Sequence, residues 1–455
     1  MVVALESASV LMQQDREHLV HPLHHPDEHE DAVIYVKGEG AVLTDINGNE
    51  YIDGLSCLWN VNIGHGRTEL AEAAYRQMKE IAYASNYIGS ANVQAIKLAT
   101  RLAEVSYPSL NATFFTSGGA ESNESAFKTA RFFWKATGKP TKEKIIARIH
   151  AYHGVTIAAM SATGMAPYKK MFGPVAGGFV HIEAPYAYRR EIPLDDPELG
   201  KKLAKDLEDA ILREGPDTVA AFIAEPVQGA GGVIPPPDGY FQEIRKICDK
   251  YDVLLIADEV ITGFGRTGKL FALDHWGIEP DIMSFAKGIT SGYLPLGGIM
   301  MSDRIHRAIL DAPAADKWMH AYTYSGHPAC CAVGLVNLNI LLDEKLSERA
   351  ARSGERLMKG LHQLSDHPNV GEIRGLGMMA AIELVSDRAT RAPTDPSQKI
   401  VERALREFRK KGLMTRGRGD VIMFAPPLVI TDEQLDRLVS VVVETLPEVI
   451  RSATR

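Results

Sequence analysis

The sequence predicts an α/β protein whose large domain is a mostly parallel sheet flanked by helices, with a smaller α/β domain beside it. Three features of the 455 residues carry this prediction. From about residue 95 to residue 300, helical patterns alternate with the short apolar runs TFFTS, KIIARI, TVAAFIAEP, VLLIADEV, DIMSFA and GGIMM. Such alternation builds parallel strands with helices over both faces. The run at 253–257 is aliphatic throughout instead of alternating, as a strand buried on both faces is. After Pro328 the pattern changes to long helices around the strand-like MMAAIEL, which marks a second unit.

Taken in order, the opening segment to residue 30 is polar and carries His18, His21, His24, His25 and His29. Two prolines break any helix that would align these rings, so solvated or interface packing is preferred to metal binding. Residues 41–51 alternate about the turn pair Asn47-Gly48 and read as a hairpin. Residues 69–81 place Leu70, Ala74, Met78 and Ile81 at helical spacing, which predicts an amphipathic helix. The stretch 185–198, rich in Pro, Tyr and charge, reads as a surface loop. Past Pro328 come helices over ACCAVGLVNLNILLDE and LSERAARSGERLMKGLHQL, a loop at Pro393 to Pro396, a further helix and a last one from Asp432. The expected division is an amino-terminal segment 1–59 that joins the small domain, a large domain 60–325 and a carboxyl-terminal small domain 326–455.

Composition excludes several classes. With 45% hydrophobic and 24% charged residues the chain reads as soluble and globular, and a net charge of −8 with interspersed signs argues against a nucleic-acid surface. No stretch approaches the roughly 20 apolar residues of a membrane span, and the first residues lack the basic start and apolar run of a signal peptide. Cys57, Cys248, Cys330 and Cys331 show neither metal nor disulfide spacing, so they read as free thiols of a reducing compartment and no metal is expected. A cytoplasmic location follows.

The chemistry concentrates between residues 253 and 298. The first apolar run there delivers Asp258 at its carboxyl end, and the second, 281–286, runs into Lys287 and then Gly288, both at the strand ends where open α/β sheets bind ligands. A partly desolvated lysine is neutral often enough to form a Schiff base with an aldehyde, and a carboxylate keeps a pyridine nitrogen protonated. Those are the two demands of a pyridoxal phosphate enzyme. GFGRTG at 263–268 literally fits a dinucleotide fingerprint, but residues 258–262 separate it from the strand and no small-residue helix start follows, so a nicotinamide dehydrogenase is only a remote alternative. Farther upstream, TSGGAESNESAFKTARFFW offers a phosphate cradle. Gly118 and Gly119 let the backbone approach, and the following helix presents free N–H groups and its positive end. A plain helix capped by Ser117 is the simpler reading of that stretch.

LLIADEV, GFGRTG and DIMSFAKG, in that order, resemble the signature of class III aminotransferases, pyridoxal phosphate enzymes of fold type I, over most of the chain. The resemblance implies that the backbone N–H groups of Gly119 and Ala120 hold the cofactor phosphate; many relatives carry Ser where Ala120 stands. It implies that Tyr152, in AYHG, stacks on the pyridine, with Val260 on the opposite face. Thr323, in YTYSGHP, would reach the phosphate in the neighbouring subunit, making a homodimer or a dimer of dimers with shared sites. Arg416 falls where relatives take a substrate carboxylate, with Arg418 close by. Trp59 and Tyr87 match aromatic pocket positions of the amine:pyruvate branch, with Ala230 a small residue beside them, and Glu225 is expected to support the pocket from behind its lining. Ile261 stands where ornithine-type and 4-aminobutyrate-type relatives hold glutamine, and Leu23 where some amine:pyruvate enzymes hold an aromatic. The implied activity is transfer of an amino group from an ω-amino acid or primary amine, a diamine included, to a keto acid, pyruvate, by a ping-pong mechanism. A decarboxylase or aminomutase on the same site is the alternative.

Overall fold

A computed structural model describes residues 7–23, 25–26, 32–190 and 192–453. Its centre is a seven-stranded sheet in the order Leu110–Thr116, Gly297–Ser302, Ile282–Phe285, Leu254–Asp258, Val219–Ala224, Lys144–Arg148, Phe179–Ile182. The five strands from Ile282–Phe285 onward in that order run parallel. Gly297–Ser302 is antiparallel to both of its neighbours.

The period of two along each strand divides its apolar side chains between two layers. Ile145, Ala147, Ala221, Ile223, Leu254 and Ile256 pack on one face with Phe127, Ala130, Phe133 and Trp134 of the helix Gly119–Ala136. Ile146, Phe222, Ala224, Leu255 and Ala257 pack on the other, with Leu203 and Leu207 of Leu199–Glu214 and with Phe241 and Ile244 of Tyr240–Tyr251. Every residue of Leu254–Asp258 and Val219–Ala224 is buried, so these unalternating runs are the middle of the sandwich.

Two smaller sheets come from the chain ends. Tyr35–Glu39, Val42–Asp45 and Glu50–Asp53 form an antiparallel meander, and Leu413–Met414 joins it parallel to Ile52 and Asp53. The turn between the second and third of these strands is held by Asp45, whose carboxylate accepts the Asn47 and Asn49 N–H groups at 2.9 Å. Val370–Leu376, Met379–Leu384, Val421–Phe424 and Arg416–Arg418 make an antiparallel sheet beneath the helices Leu346–Leu361, Ile400–Lys410 and Asp432–Ala453. The predicted amphipathic helix lies at Thr68–Glu80.

The stretch 185–198 is not simply a surface loop. Tyr186 and Tyr188 are buried, and Glu383 on strand Met379–Leu384 receives the Tyr186 hydroxyl and Arg189 Nε, the latter at 2.7 Å. Its polar composition hides this because the partners are themselves buried charges. His21 pairs with Asp15 at 3.0 Å, while His24 and His29 lie outside the described residues. Among the described residues no helix is long and apolar enough to cross a membrane. All four cysteines are free, and Cys57 alone is exposed.

Candidate active site

Asp258 and Lys287 come together because their strands are parallel neighbours with Asp258 opposite Ser284. Lys287 sits three residues beyond Ser284, at φ +46°, opening a short turn at Lys287–Ile289. This left-handed conformation is unfavourable for a lysine and turns its chain away from the strand direction. Next to it, a methyl group at Gly288 would lie 2.7 Å from Asn62 Nδ2 and 2.9 Å from Phe264 Cβ, so only glycine lets the turn close. Burial pushes the Lys287 amine down to about 8, against the opposing pull of the Asp258 and Glu225 carboxylates. At pH 8 that leaves about half of the amines neutral, against roughly 0.3% for an ordinary lysine.

Asp258 is aimed by donors that the sequence does not announce. Its Oδ2 accepts His153 Nδ1 at 2.7 Å and Asn123 Nδ2 at 2.8 Å, while Oδ1, among the described residues, accepts only the Val260 N–H at 3.1 Å. One oxygen is thus anchored and the other keeps capacity for a further donor. The adjacent Glu259 faces away, held by Tyr107, Thr262 and the Ala272 and Leu273 N–H groups. Asn123 and His153 had no sequence signal of their own, although His153 lies inside the AYHG segment.

The helix Gly119–Ala136 starts at Gly118 without a side-chain cap, so the simpler reading with Ser117 as cap does not hold. Its first N–H groups and positive end are free for an anion. Gly118 is extended, and a methyl group there would meet no protein atom within 4 Å. At Gly119 a methyl group would lie 2.9 Å from Val260 Cγ1, which brings the helix start against the residue after Asp258 and Glu259. Ser122 donates to the Phe285 carbonyl at 3.0 Å and so ties this helix to the strand that precedes Lys287. An uncapped helix end, open space over Gly118, an amine of lowered basicity and a half-satisfied carboxylate together fit pyridoxal phosphate.

Around this centre, Glu225 is buried and accepts the N–H groups of Tyr152 at 3.0 Å and Gly229 at 2.9 Å, linking the predicted stacking ring to the loop that carries Ala230. Burial pushes the Glu225 carboxyl upward. Trp59 packs in one apolar cluster with Ile261, Val227 and Met423, and a methyl group at Gly229 would lie 2.7 Å from Ile261 Cδ1. Arg416 pairs with Met423 across its sheet and is exposed, and its guanidinium has no hydrogen bond or ion pair among the described residues. Arg418 is half-buried and donates to the Gly231 carbonyl at 3.1 Å. Tyr87 and Thr323 are exposed, on a surface where the Tyr83 hydroxyl donates to the Thr323 carbonyl at 2.7 Å. Leu23 is exposed as well. After Asp258, GFGRTG forms turns that open no α-helix and are followed only by the short 3-10 turn Ala272–His275, which removes the geometry a dinucleotide pyrophosphate needs.

The aminotransferase class-III family profile matches residues 24–446. The chain is 41% identical to the diaminobutyrate–2-oxoglutarate transaminase of Halomonas elongata over 98% of its length and 97% of that protein's. It is 43% identical to the putrescine–pyruvate aminotransferase of Pseudomonas aeruginosa, covering 90% of this chain and 89% of the relative. The crystal structure of a thermostable (S)-enantioselective omega-transaminase from Thermomicrobium roseum superposes with a TM-score of 0.96 at 47% identity, over 98% of this chain and all of that one. With the sheet-edge lysine, the aspartate and the uncapped helix already in place, this chain belongs to the class III aminotransferases, pyridoxal phosphate-dependent enzymes of fold type I.

Proposed function

We propose that the enzyme moves an amino group from a primary amine or ω-amino acid, a diamine included, to pyruvate, with Lys287 and Asp258 as its catalytic residues. The observation that carries the choice of acceptor is Arg416: an exposed guanidinium without a partner among the described residues can pair with a single carboxylate in two parallel hydrogen bonds and swing to water when the substrate has none. The relatives' names point both ways, one to pyruvate and one to 2-oxoglutarate. Its register partner Met423 packs in the apolar cluster of Trp59, Val227 and Ile261, and one arginine set against an apolar wall favours the monocarboxylate.

When bound, pyridoxal phosphate supplies the electron sink that makes the proton beside the amino nitrogen acidic. Lys287, lowered to about 8, takes that proton as base and returns it as acid. Asp258, aimed by His153 and Asn123, would keep the pyridine nitrogen protonated, with Oδ1 the less occupied of its oxygens. Gly119, Ala120 and the helix end would hold the phosphate, and Tyr152 and Val260 would flank the ring. Trp59, Tyr87, Ala230 and Arg416 shape the substrate pocket, while the apolar Ile261 leaves the ring's phenolic oxygen without the glutamine of ornithine-type relatives.

The functional unit in this reading is a homodimer. Thr323 and Tyr87 share an exposed surface with Tyr83, Ile88 and Tyr324, and an apolar patch of that kind is ordinarily covered. Sedimentation giving a monomer mass would overturn it. We divide the chain at 1–59, 60–325 and 326–455, with the parallel pairing of Leu413 and Ile52 joining the two ends in one unit. Four free cysteines support a cytoplasmic location.

Arg416→Ala tests the acceptor assignment. Each charge-assisted hydrogen bond contributes about 1.5–3 kcal/mol, so the KM for pyruvate should rise roughly 10-fold or more. The half-reaction with a carboxylate-free amine should stay within a few-fold of wild type. Single-turnover measurement of each half separates the two, and equal damage to both would make Arg416 structural.

A further inference from the structure

We infer that Asp53, Cys57 and His65 form a binding site for one divalent cation of the zinc class, and that its occupancy restrains the segment carrying Trp59. Their donor atoms converge although eight residues or more separate His65 from the other two. His65 Nε2 lies 3.0 Å from Asp53 Oδ2 and 3.8 Å from Cys57 Sγ, and all three donor atoms are within 4.8 Å of one another. Around a tetrahedral ion with Zn–S about 2.3 Å and Zn–N or Zn–O about 2.0 Å, the edges are roughly 3.3–3.6 Å. The two separations from His65 bracket those edges and the third pair lies within 4.8 Å, so movement of the exposed Cys57 side chain by about an ångström completes the set.

A nucleophilic relay does not account for the cluster. One imidazole nitrogen, Nε2, faces both the carboxylate and the thiol, whereas a relay uses one ring nitrogen for each. Convergence of a carboxylate, an imidazole nitrogen and a thiol on a common point is what a cation of borderline softness collects.

The ligands are set in place before any ion arrives. Asp53 ends the strand Glu50–Asp53 and is 2% exposed. His65 is bonded through its backbone to Gly40 in both directions, at 2.8 and 3.0 Å, and its ring lies over Gly38, where a methyl group would be 2.8 Å from its Cβ. Cys57 takes φ +54° while its N–H donates to both Asp53 oxygens at 2.8 Å, so the cysteine is folded back toward the carboxylate. Its side is open to solvent, which provides an entry path and a water for the fourth position. Carboxylate and thiolate together balance the double charge, and the thiol proton leaves to solvent. The other three cysteines are buried and offer no competing thiolate.

The restraint follows from chain connectivity and rests on Trp59 as a pocket wall. Trp59 is two residues from Cys57 and six from His65, so an ion joining those two ligands closes a short loop that contains it. Adjustment of the indole to a bulky amine then becomes slower.

The test uses tag-free, chelator-washed holoenzyme titrated with Co²⁺, whose bond to a thiolate gives a near-ultraviolet charge-transfer band that histidine or carboxylate ligands alone do not produce. One equivalent per chain is expected, the band being lost in Cys57→Ser and weakened at least tenfold in affinity in His65→Gln, a change of about 1.4 kcal/mol. Absence of a saturable band, or a band that survives Cys57→Ser, overturns the site. With Zn²⁺ bound, turnover of a bulky aryl amine should fall about threefold or more in wild type and stay unchanged in Cys57→Ser. Unchanged wild-type turnover with the ion bound overturns the restraint. The cobalt band does not depend on which residues line the substrate pocket, so its failure and that of the pocket assignment are distinguishable.

Discussion

Alanine at Gly118 and at Gly119 should produce opposite patterns, because the two glycines are small for different reasons. At Gly119 the new methyl group would lie 2.9 and 3.1 Å from the two Val260 methyls, where carbon pairs are comfortable at about 3.5–4.0 Å. Relief requires a movement of about half an ångström or more by Val260 or by the helix start. Over-packing of this kind costs about 1–3 kcal/mol, offset by up to about 1 kcal/mol of helix propensity. The apoenzyme should therefore lose about 1–2 kcal/mol, and cofactor binding should weaken as Val260 is displaced. At Gly118 the backbone is extended, any residue adopts it, and the methyl meets no protein atom within 4 Å. Apoenzyme stability should change by less than about 0.5 kcal/mol. The same methyl enters the space assigned to the phosphate, so the dissociation constant of pyridoxal phosphate should rise roughly 5- to 150-fold, the equivalent of about 1–3 kcal/mol. Urea unfolding of the apoenzymes and absorbance titration with cofactor measure the two quantities separately. A Gly118→Ala enzyme that binds cofactor like wild type would refute the placement of the phosphate, and a fully stable Gly119→Ala apoenzyme would refute the contact with Val260.

Two further outcomes are expected. Removing the lysine charge should stabilise the apoenzyme, since the Lys287 amine is lowered from 10.5 to about 8 in the fold. Below pH 8 both folded and unfolded chains carry the proton, and the folded one bears the whole desolvation cost, about 3 kcal/mol for that difference. Lys287→Met apoenzyme should exceed wild type in urea by roughly 1–3 kcal/mol at pH 7, with the gap closing as pH rises from 8 toward 10.5; a gap that widens with pH would show that burial does not lower this amine. His153→Phe removes one donor from Asp258 Oδ2 and leaves Asn123 in place. A hydrogen bond to a charged group contributes about 1.5–3 kcal/mol, so proton transfer should slow roughly 10- to 150-fold with cofactor retained, and near-normal single-turnover rates would mean that Asn123 alone aims the carboxylate.

The sequence by itself determined the parts that depend on local pattern. Unalternating aliphatic runs require burial on both faces, so Leu254–Asp258 and its neighbours could only be central parallel strands, and a strand end is where Asp258 and Lys287 then had to be. A pair of glycines before a helix likewise declares an approach to the backbone, whatever the partner. What depends on side chains distant in sequence was decided only by the tertiary structure. Asn123 and His153 converge on Asp258 across 135 and 105 residues; nothing around Asn123 distinguishes it from an ordinary polar residue, and the AYHG segment that holds His153 pointed to its tyrosine instead. Tyr186 and Arg189 look like solvated loop residues until Glu383 is placed beneath them. Cys57 lacks the regular spacing that betrays a metal site within one segment, because His65 reaches it only after the chain has paired with Gly40. Periodicity records which face of an element is buried; it carries no information about which distant donor will meet a buried charge, since that depends on the register and packing of elements the chain has yet to bring together.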